Sequence, residues 1–150
     1  MQLLDYLKEN MVFLNFDATT KEAAIEQFIS LIENTGAVKE PAVLKDALFE
    51  REKLGTTGVG DGCAIPHARS GAIKDLTVAF FRSEKGFDFK AIDNEPVHIV
   101  FLLLAPISSS GPYLKLLAKI SKLLRMEDFR ASLLKAKTKN DIIQIIKDND

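Results

Sequence analysis

A nine-residue apolar run, Val97–Ala105, constrains the fold of this chain more than any other segment. It reads Val-His-Ile-Val-Phe-Leu-Leu-Leu-Ala, so apolar residues point to both faces of the run when it is extended. A strand of this kind lies in the middle of a sheet that is covered on both sides. The run therefore predicts a central β-strand with helices packed on both faces of its sheet.

Amphipathic segments suited to such helices lie both before and after this strand. Thr19–Glu22 has the form of a capping box, and Pro41 and Pro112 suit the first turns of two further helices. Thr138 is in position to cap a last helix. Apolar residues recur at helical spacing after these signals: Ile25, Phe28, Leu31 and Ile32; Leu44, Ala47 and Leu48; Tyr113, Leu116, Leu117, Ile120, Leu123 and Leu124; Ile142, Ile143, Ile145 and Ile146.

Further extended segments are predicted at Met11–Phe16, Cys63–Ile65 and Leu76–Phe81, and a glycine-rich loop at Gly55–Gly62. The predicted helices and strands do not alternate strictly along the chain, so a mixed sheet is favoured over a parallel one. The sequence thus predicts an α/β protein of the α+β type, a three-layer α/β/α sandwich with a mixed β-sheet. We expect residues 1–150 to form one domain.

Composition restricts the class of function. The chain has 20 Lys and Arg against 21 Asp and Glu, and this balance argues against a protein built to bind nucleic acid. Its one cysteine, Cys63, allows no intrachain disulfide and suits a reducing compartment. The first residues do not form a signal peptide, and the longest apolar run is too short to span a bilayer. We expect a soluble cytoplasmic protein with no direct membrane insertion.

Chemistry concentrates in the segment from Arg51 to Arg69, which reads REKLGTTGVGDGCAIPHAR. His67 can present a neutral nitrogen near pH 7 and accept a phosphoryl group. Glycines allow backbone N–H groups to approach phosphate oxygens, and arginine can bind phosphate through two bonds. The segment therefore favours phosphoryl transfer, although a single histidine after a proline is equally compatible with packing or capping a turn.

Arg51 lies three, four and seven residues after Leu48, Ala47 and Leu44, so it extends the inward stripe of its predicted helix. It is also a cation near the end of that helix, where the helix dipole favours positive charge. Spacing alone leaves the functional and the structural interpretation equally open.

Other motifs do not fit this chain. The glycines match neither the dinucleotide fingerprint nor a P-loop, and no standard zinc spacing is present, so we expect no metal and no organic cofactor. Cys63 is more typical of a packed core residue than of a nucleophile activated by His67. His98, inside the apolar run, is typical of a buried histidine whose hydrogen bonds are satisfied.

Several segments resemble the IIA domains of the bacterial sugar phosphotransferase system, of the fructose/mannitol class that includes nitrogen-regulatory IIA proteins. The family pattern is an Arg-Glu pair, a Thr-Gly-x-Gly-x-Gly loop and Ala-Ile-Pro-His. Here these are Arg51-Glu52, Thr57–Gly62 and Ala64–His67. Further matching segments extend over essentially the whole chain: Phe87–Phe89, Asp93, Pro96–Val97, Val100–Leu103, Pro106 and Leu114–Ala118.

The resemblance implies that His67 accepts a phosphoryl group from the phosphohistidine of the carrier HPr. It also implies onward transfer to a IIB domain and then to sugar, or use of the phosphorylation state to control another protein. It places a phosphate-binding role on Arg51, and the loop N–H groups near Thr57, Gly58 and Gly60 are expected to assist.

One position departs from the family pattern. Many members have a second histidine where this chain has Tyr113, which lines the site as the resemblance places it. A tyrosine hydroxyl can donate one hydrogen bond to phosphate but carries no positive charge near pH 7. The alternative function is a regulatory interaction module that binds transporters or enzymes, with weak or no onward phosphotransfer.

Overall fold

The computed structural model describes all 150 residues, Met1–Asp150. Five α-helices are present: α1 (Lys21–Glu33), α2 (Pro41–Lys53), α3 (Gly111–Leu124), α4 (Glu127–Lys135) and α5 (Lys139–Asn149). Six strands accompany them: β1 (Val12–Phe13), β2 (Gly58–Gly60), β3 (Cys63–Ala64), β4 (His67–Arg69), β5 (Thr77–Phe87) and β6 (Val97–Ala105). Two 3₁₀ turns, Leu3–Asp5 and Glu9–Met11, precede β1.

The strands form one mixed sheet in the order β1-β5-β6-β3-β2, and β4 also pairs with β6. β6 runs antiparallel to β5 and parallel to both β3 and β4. Eight of the nine residues of β6 are buried, and His98 is half-buried. The prediction of a central strand covered on both faces is confirmed.

The helices form the outer layers of the predicted α/β/α sandwich. α1 packs against α2, and α3, α4 and α5 pack in sequence against one another. Their apolar faces join the strands in a single cluster of 45 buried residues that runs from Leu3 to Ile146. The fold class predicted from the sequence is therefore confirmed.

Three local predictions need correction. Thr20, not Thr19, caps α1, because its side chain accepts a hydrogen bond from the Ala23 N–H. The segment predicted as a loop contains the short strand β2, paired with β3. The first strand is limited to Val12–Phe13, which form the parallel ladder with β5, while Phe16 adds one separate backbone hydrogen bond to Arg82.

Candidate functional site around His67

His67 begins β4, which continues the line of β3 alongside β6 after an interruption at Ile65–Pro66. The Pro66 carbonyl accepts a hydrogen bond of 3.0 Å from the Leu103 N–H, and His67 then pairs with Leu103. Successive strand residues point to opposite faces. Buried Ala68 therefore packs into the core, while His67 and Arg69 share the outward face.

Two different partners hold the two nitrogens of the His67 imidazole. Nδ1 lies 2.7 Å from the Ile65 carbonyl oxygen, and a carbonyl only accepts, so Nδ1 carries the hydrogen. Arg51 Nε donates to Nε2 at 3.1 Å, which requires a lone pair on Nε2. The network therefore selects the Nδ1–H tautomer, with Nε2 as the potential nucleophile.

The surroundings of His67 also favour its uncharged form. Burial lowers the pKa of His67 below its ordinary value of 6.5, and the neighbouring Arg51 cation lowers it further. The hydrogen bond to Ile65 opposes these effects but does not reverse them. The imidazole is therefore neutral and nucleophilic at pH 7.

Arg51 lies in the last turn of α2, and its guanidinium also donates to the Gly55 carbonyl oxygen at 2.9 Å. This geometry agrees with both interpretations of the sequence, since Arg51 is a cation at a helix C-terminus and also contacts His67. Its half-buried side chain joins the end of α2 to the β4 histidine.

An open cavity of about 540 Å³ lies in front of His67. Arg51 and Arg69 contribute two cations to its lining, and Glu50 contributes its only carboxylate. The buried Tyr113, near the start of α3, has its ring centroid 6.1 Å from that of His67. A neutral nucleophile in a cavity lined by two guanidinium groups suits reaction with an anionic electrophile.

Thr57, Gly58 and Gly60 do not line this cavity. The Thr57 N–H and hydroxyl both donate to the Glu52 carboxylate, and the Gly58 N–H donates to the Thr56 hydroxyl. Gly60 lines a separate small pocket. The phosphate-binding role of these loop residues stays a prediction, and it requires the loop to exchange its present hydrogen bonds.

The other candidate residues lie apart from this chemistry. Cys63 is 1% exposed, and burial raises the pKa of its thiol to about 12, so the thiol is not a ready nucleophile at neutral pH. His98 Nδ1 lies 2.9 Å from the Ser83 carbonyl oxygen, within a different cavity. Its hydrogen bond is satisfied, as predicted, although the residue is only half-buried.

Sequence reasoning missed one contribution to the site and left the role of another, Arg69, open. The Ile65 carbonyl fixes the tautomer of His67. This contribution could not be predicted, because a pattern of side chains in the sequence does not show which backbone carbonyl accepts a hydrogen bond. Arg69 enters the cavity because it lies two residues after His67 on the same strand. That alternation could have been recognised only if β4 had been predicted.

With this geometry established, comparison with known proteins identifies the family. The profile described as "Phosphoenolpyruvate-dependent sugar phosphotransferase system, EIIA 2" matches residues 5–149. The chain belongs to this family. It is an EIIA-type phosphotransferase component, as the sequence motifs indicated.

The relatives include both sugar-specific and regulatory proteins. The chain is 39% identical over 136 residues to the fructose-specific EIIA component of Haloferax volcanii, covering 91% of this chain and 88% of the relative. It is 32% identical over 146 residues to a nitrogen regulatory protein of Bradyrhizobium diazoefficiens, covering 97% and 95%. It is also 32% identical to the fructose-specific EIIABC component of Bacillus subtilis, but it spans only 24% of that protein's length.

Solved structures of the same class share the fold. The nitrogen regulatory protein IIA-Ntr from Neisseria meningitidis superposes with a TM-score of 0.87 at 32% identity, covering 95% of this chain and 97% of that one. IIA mannitol from Escherichia coli superposes with a TM-score of 0.76 at 23% identity, covering 92% and 96%. No helix of the structure has both the length and the apolar character needed to cross a membrane.

Proposed function

We propose that this chain carries a phosphoryl group transiently on His67 Nε2. The observation that carries the proposal is the pair of hydrogen bonds that places the ring hydrogen on Nδ1 and the lone pair on Nε2 of a histidine that lines an open cavity. Such a nitrogen can attack phosphorus without first losing a proton. The cavity is open enough for a donor protein to bring its phosphoryl group to this nitrogen.

The donor we propose is the phosphohistidine of HPr. The Nε2 lone pair forms the new N–P bond while the donor's N–P bond breaks, and the departing electron pair stays on the donor's imidazole nitrogen. His67 retains its Nδ1 hydrogen and becomes positively charged at the ring as the bond forms. The Ile65 carbonyl stabilises that charge by accepting the hydrogen bond from Nδ1.

Arg51 exchanges its hydrogen bond to His67 for hydrogen bonds to the phosphoryl group during transfer. Its Nε–H now occupies the Nε2 lone pair, so the arginine must release Nε2 for attack to occur. The released donors then bind phosphoryl oxygens, where charge develops during transfer. Tyr113 limits access to His67 from the α3 side and can offer its hydroxyl to one phosphoryl oxygen.

The acceptor we propose is a IIB domain or a regulated protein, and the site of action is the cytoplasm. In one solved structure, IIA mannitol of Escherichia coli is in complex with phosphorylated IIB mannitol. That protein shares the fold of this chain at 22% identity. The alternative of an interaction module with weak or no phosphotransfer is not favoured, because the family and its relatives include sugar-specific EIIA components.

The test is incubation of the purified protein with Enzyme I, HPr and phosphoenolpyruvate, followed by intact mass measurement at neutral pH. The expected result is one added acid-labile phosphoryl group, absent from His67→Ala and retained by the matched control His98→Ala. Uptake by His67→Ala, or no uptake by the native protein while HPr is phosphorylated, would refute the proposal.

A further inference from the structure

Arg69 contributes a second guanidinium to the cavity in front of His67. The two residues lie on the same face of β4, with Ala68 buried between them. Their backbones are about 7 Å apart along the strand, a distance that an arginine side chain can span. Arg69 therefore lines the cavity from the side of β4, whereas Arg51 lines it from α2 and contacts Nε2.

The Arg69 guanidinium is held in position by two contacts, but most of its hydrogen-bond donors have no partner. Its central carbon lies 5.8 Å from the centroid of the Tyr113 ring, within the range of a cation–π contact. Its one hydrogen bond is a long one, 3.3 Å to the Ser109 carbonyl oxygen. Because a guanidinium has five N–H donors, most of them remain available to an anion.

The charge of the proposed product favours a further cation beside the phosphoryl group. A phosphoryl group carries roughly 1.5 to 2 negative charges near pH 7. Arg51 supplies one positive charge beside His67, while the Glu50 carboxylate in the lining acts against the anion. Tyr113 supplies no charge, so Arg69 is the remaining cation among the residues that line the cavity.

We propose that Arg69 is a second phosphate-binding residue of this site, held over the Tyr113 ring and moving onto the phosphoryl oxygens when His67 is phosphorylated. This inference rests on the function proposed above. In this proposal Tyr113 is a positioning residue. Its ring holds the Arg69 cation, and the uncharged tyrosine does not itself bind the phosphate through a positive charge.

The experiment compares Arg69→Gln, Arg69→Lys and the matched control Arg125→Gln. Arg125 is an exposed arginine at the end of α3 that lines a different pocket, so its replacement changes the net charge equally. Phosphorylation by phospho-HPr is followed in a single turnover, and the phosphoryl group is then titrated by ³¹P NMR.

For Arg69→Gln we expect the maximal rate of phosphorylation to fall about tenfold or more, as removal of a charge-assisted hydrogen bond implies. The second ionisation of the phosphoryl group should move to higher pH, because a nearby cation stabilises the dianion. Arg69→Lys should restore part of both effects, and Arg125→Gln should match the native protein.

Two results would overturn the inference. A maximal rate and a phosphoryl titration unchanged in Arg69→Gln would show that Arg69 does not bind the phosphate. A higher KM for phospho-HPr alone, with an unchanged ³¹P titration, would assign Arg69 to docking of the donor. Failure of the proposed function is distinguishable, because the native protein itself would then take up no phosphoryl group.

Discussion

At the scale of single residues, the reactivity of His67 depends on one backbone acceptor and one arginine. Ile65 O fixes the hydrogen on Nδ1, and Arg51 approaches Nε2. The sequence nominated His67 and Arg51 through the resemblance to the family pattern, because residue type and helical spacing alone left their roles open. It could not predict the tautomer, because the direction of the Ile65 carbonyl depends on how β3 and β4 are interrupted beside β6.

The first prediction concerns the protonation of His67. We expect NMR titration of its ring to give a pKa below 6.5, chiefly because of burial, and a higher pKa in Arg51→Gln, where the neighbouring cation is removed. Since the folded-state pKa is lowered, the contribution of His67 to stability is complete above about pH 6.5 and is lost as pH falls through the folded-state pKa. A pKa of His67 above 6.5, or a downward shift in Arg51→Gln, would contradict this account.

The second prediction concerns Gly58, which the sequence nominated for phosphate binding. A Cβ at this position would lie 2.7 Å from the Cα of Ala91, so the close approach of two backbones requires glycine here. Gly58→Ala should reduce the free energy of unfolding in urea by about 1–3 kcal/mol, the usual cost of overpacking.

Gly111→Ala is the matched control for this substitution. A Cβ at Gly111, the first residue of α3, meets nothing within 4 Å, so this variant should be at least as stable as the native protein. Equal stability of Gly58→Ala and the native protein would remove the packing explanation for Gly58.

At the scale of secondary-structure elements, a buried ion pair connects α1, α2 and the glycine-rich segment. Lys21 Nζ lies 2.7 Å from Glu52 Oε1, with side chains that are 11% and 5% exposed. Glu52 also accepts two hydrogen bonds from Thr57, and Lys21 lies over the Phe89 ring. This cluster fixes the end of α2, and Arg51 is the residue before Glu52.

The third prediction is that Lys21→Met destabilises the protein by about 3–5 kcal/mol, because it leaves the Glu52 carboxylate buried without a counter-charge. The double variant Lys21→Met/Glu52→Gln should recover much of this loss in urea unfolding, since a glutamine amide can still bond Thr57. A cost below about 1 kcal/mol for Lys21→Met alone would show that the pair does not hold these elements together.

Helices and strands could be predicted where their own residues carry a clear hydrophobic pattern or a capping signal. β6 is a long apolar run, α1 and α5 begin with the capping residues Thr20 and Thr138, and α2 and α3 each have a proline in the first turn. β2 and β4 are each three residues long, and pairing with β3 or β6 defines them more than their own composition. The role of Arg69 stayed open in the sequence analysis for the same reason.

At the scale of the whole molecule, the fold brings two outer layers and one sheet edge together around His67. α2 supplies Arg51, β4 supplies His67 and Arg69, and α3 supplies Tyr113. The layered architecture could be predicted from the apolar central strand and the amphipathic segments on both sides of it in the sequence. The assembly of the site could not, because its members are up to 62 residues apart and meet only through the sheet topology. The assignment of residues 1–150 to one domain stays a prediction, supported by the single core cluster.

The central claim is that His67 Nε2 accepts the phosphoryl group, and its most direct test is long-range ¹H–¹⁵N NMR of the histidine-labelled, phosphorylated protein. We predict that phosphorylation changes the Nε2 resonance of His67, that Nδ1 remains protonated, and that both nitrogens of His98 are unaffected. A phosphoryl group on Nδ1 of His67, or on either nitrogen of His98, would contradict the mechanism.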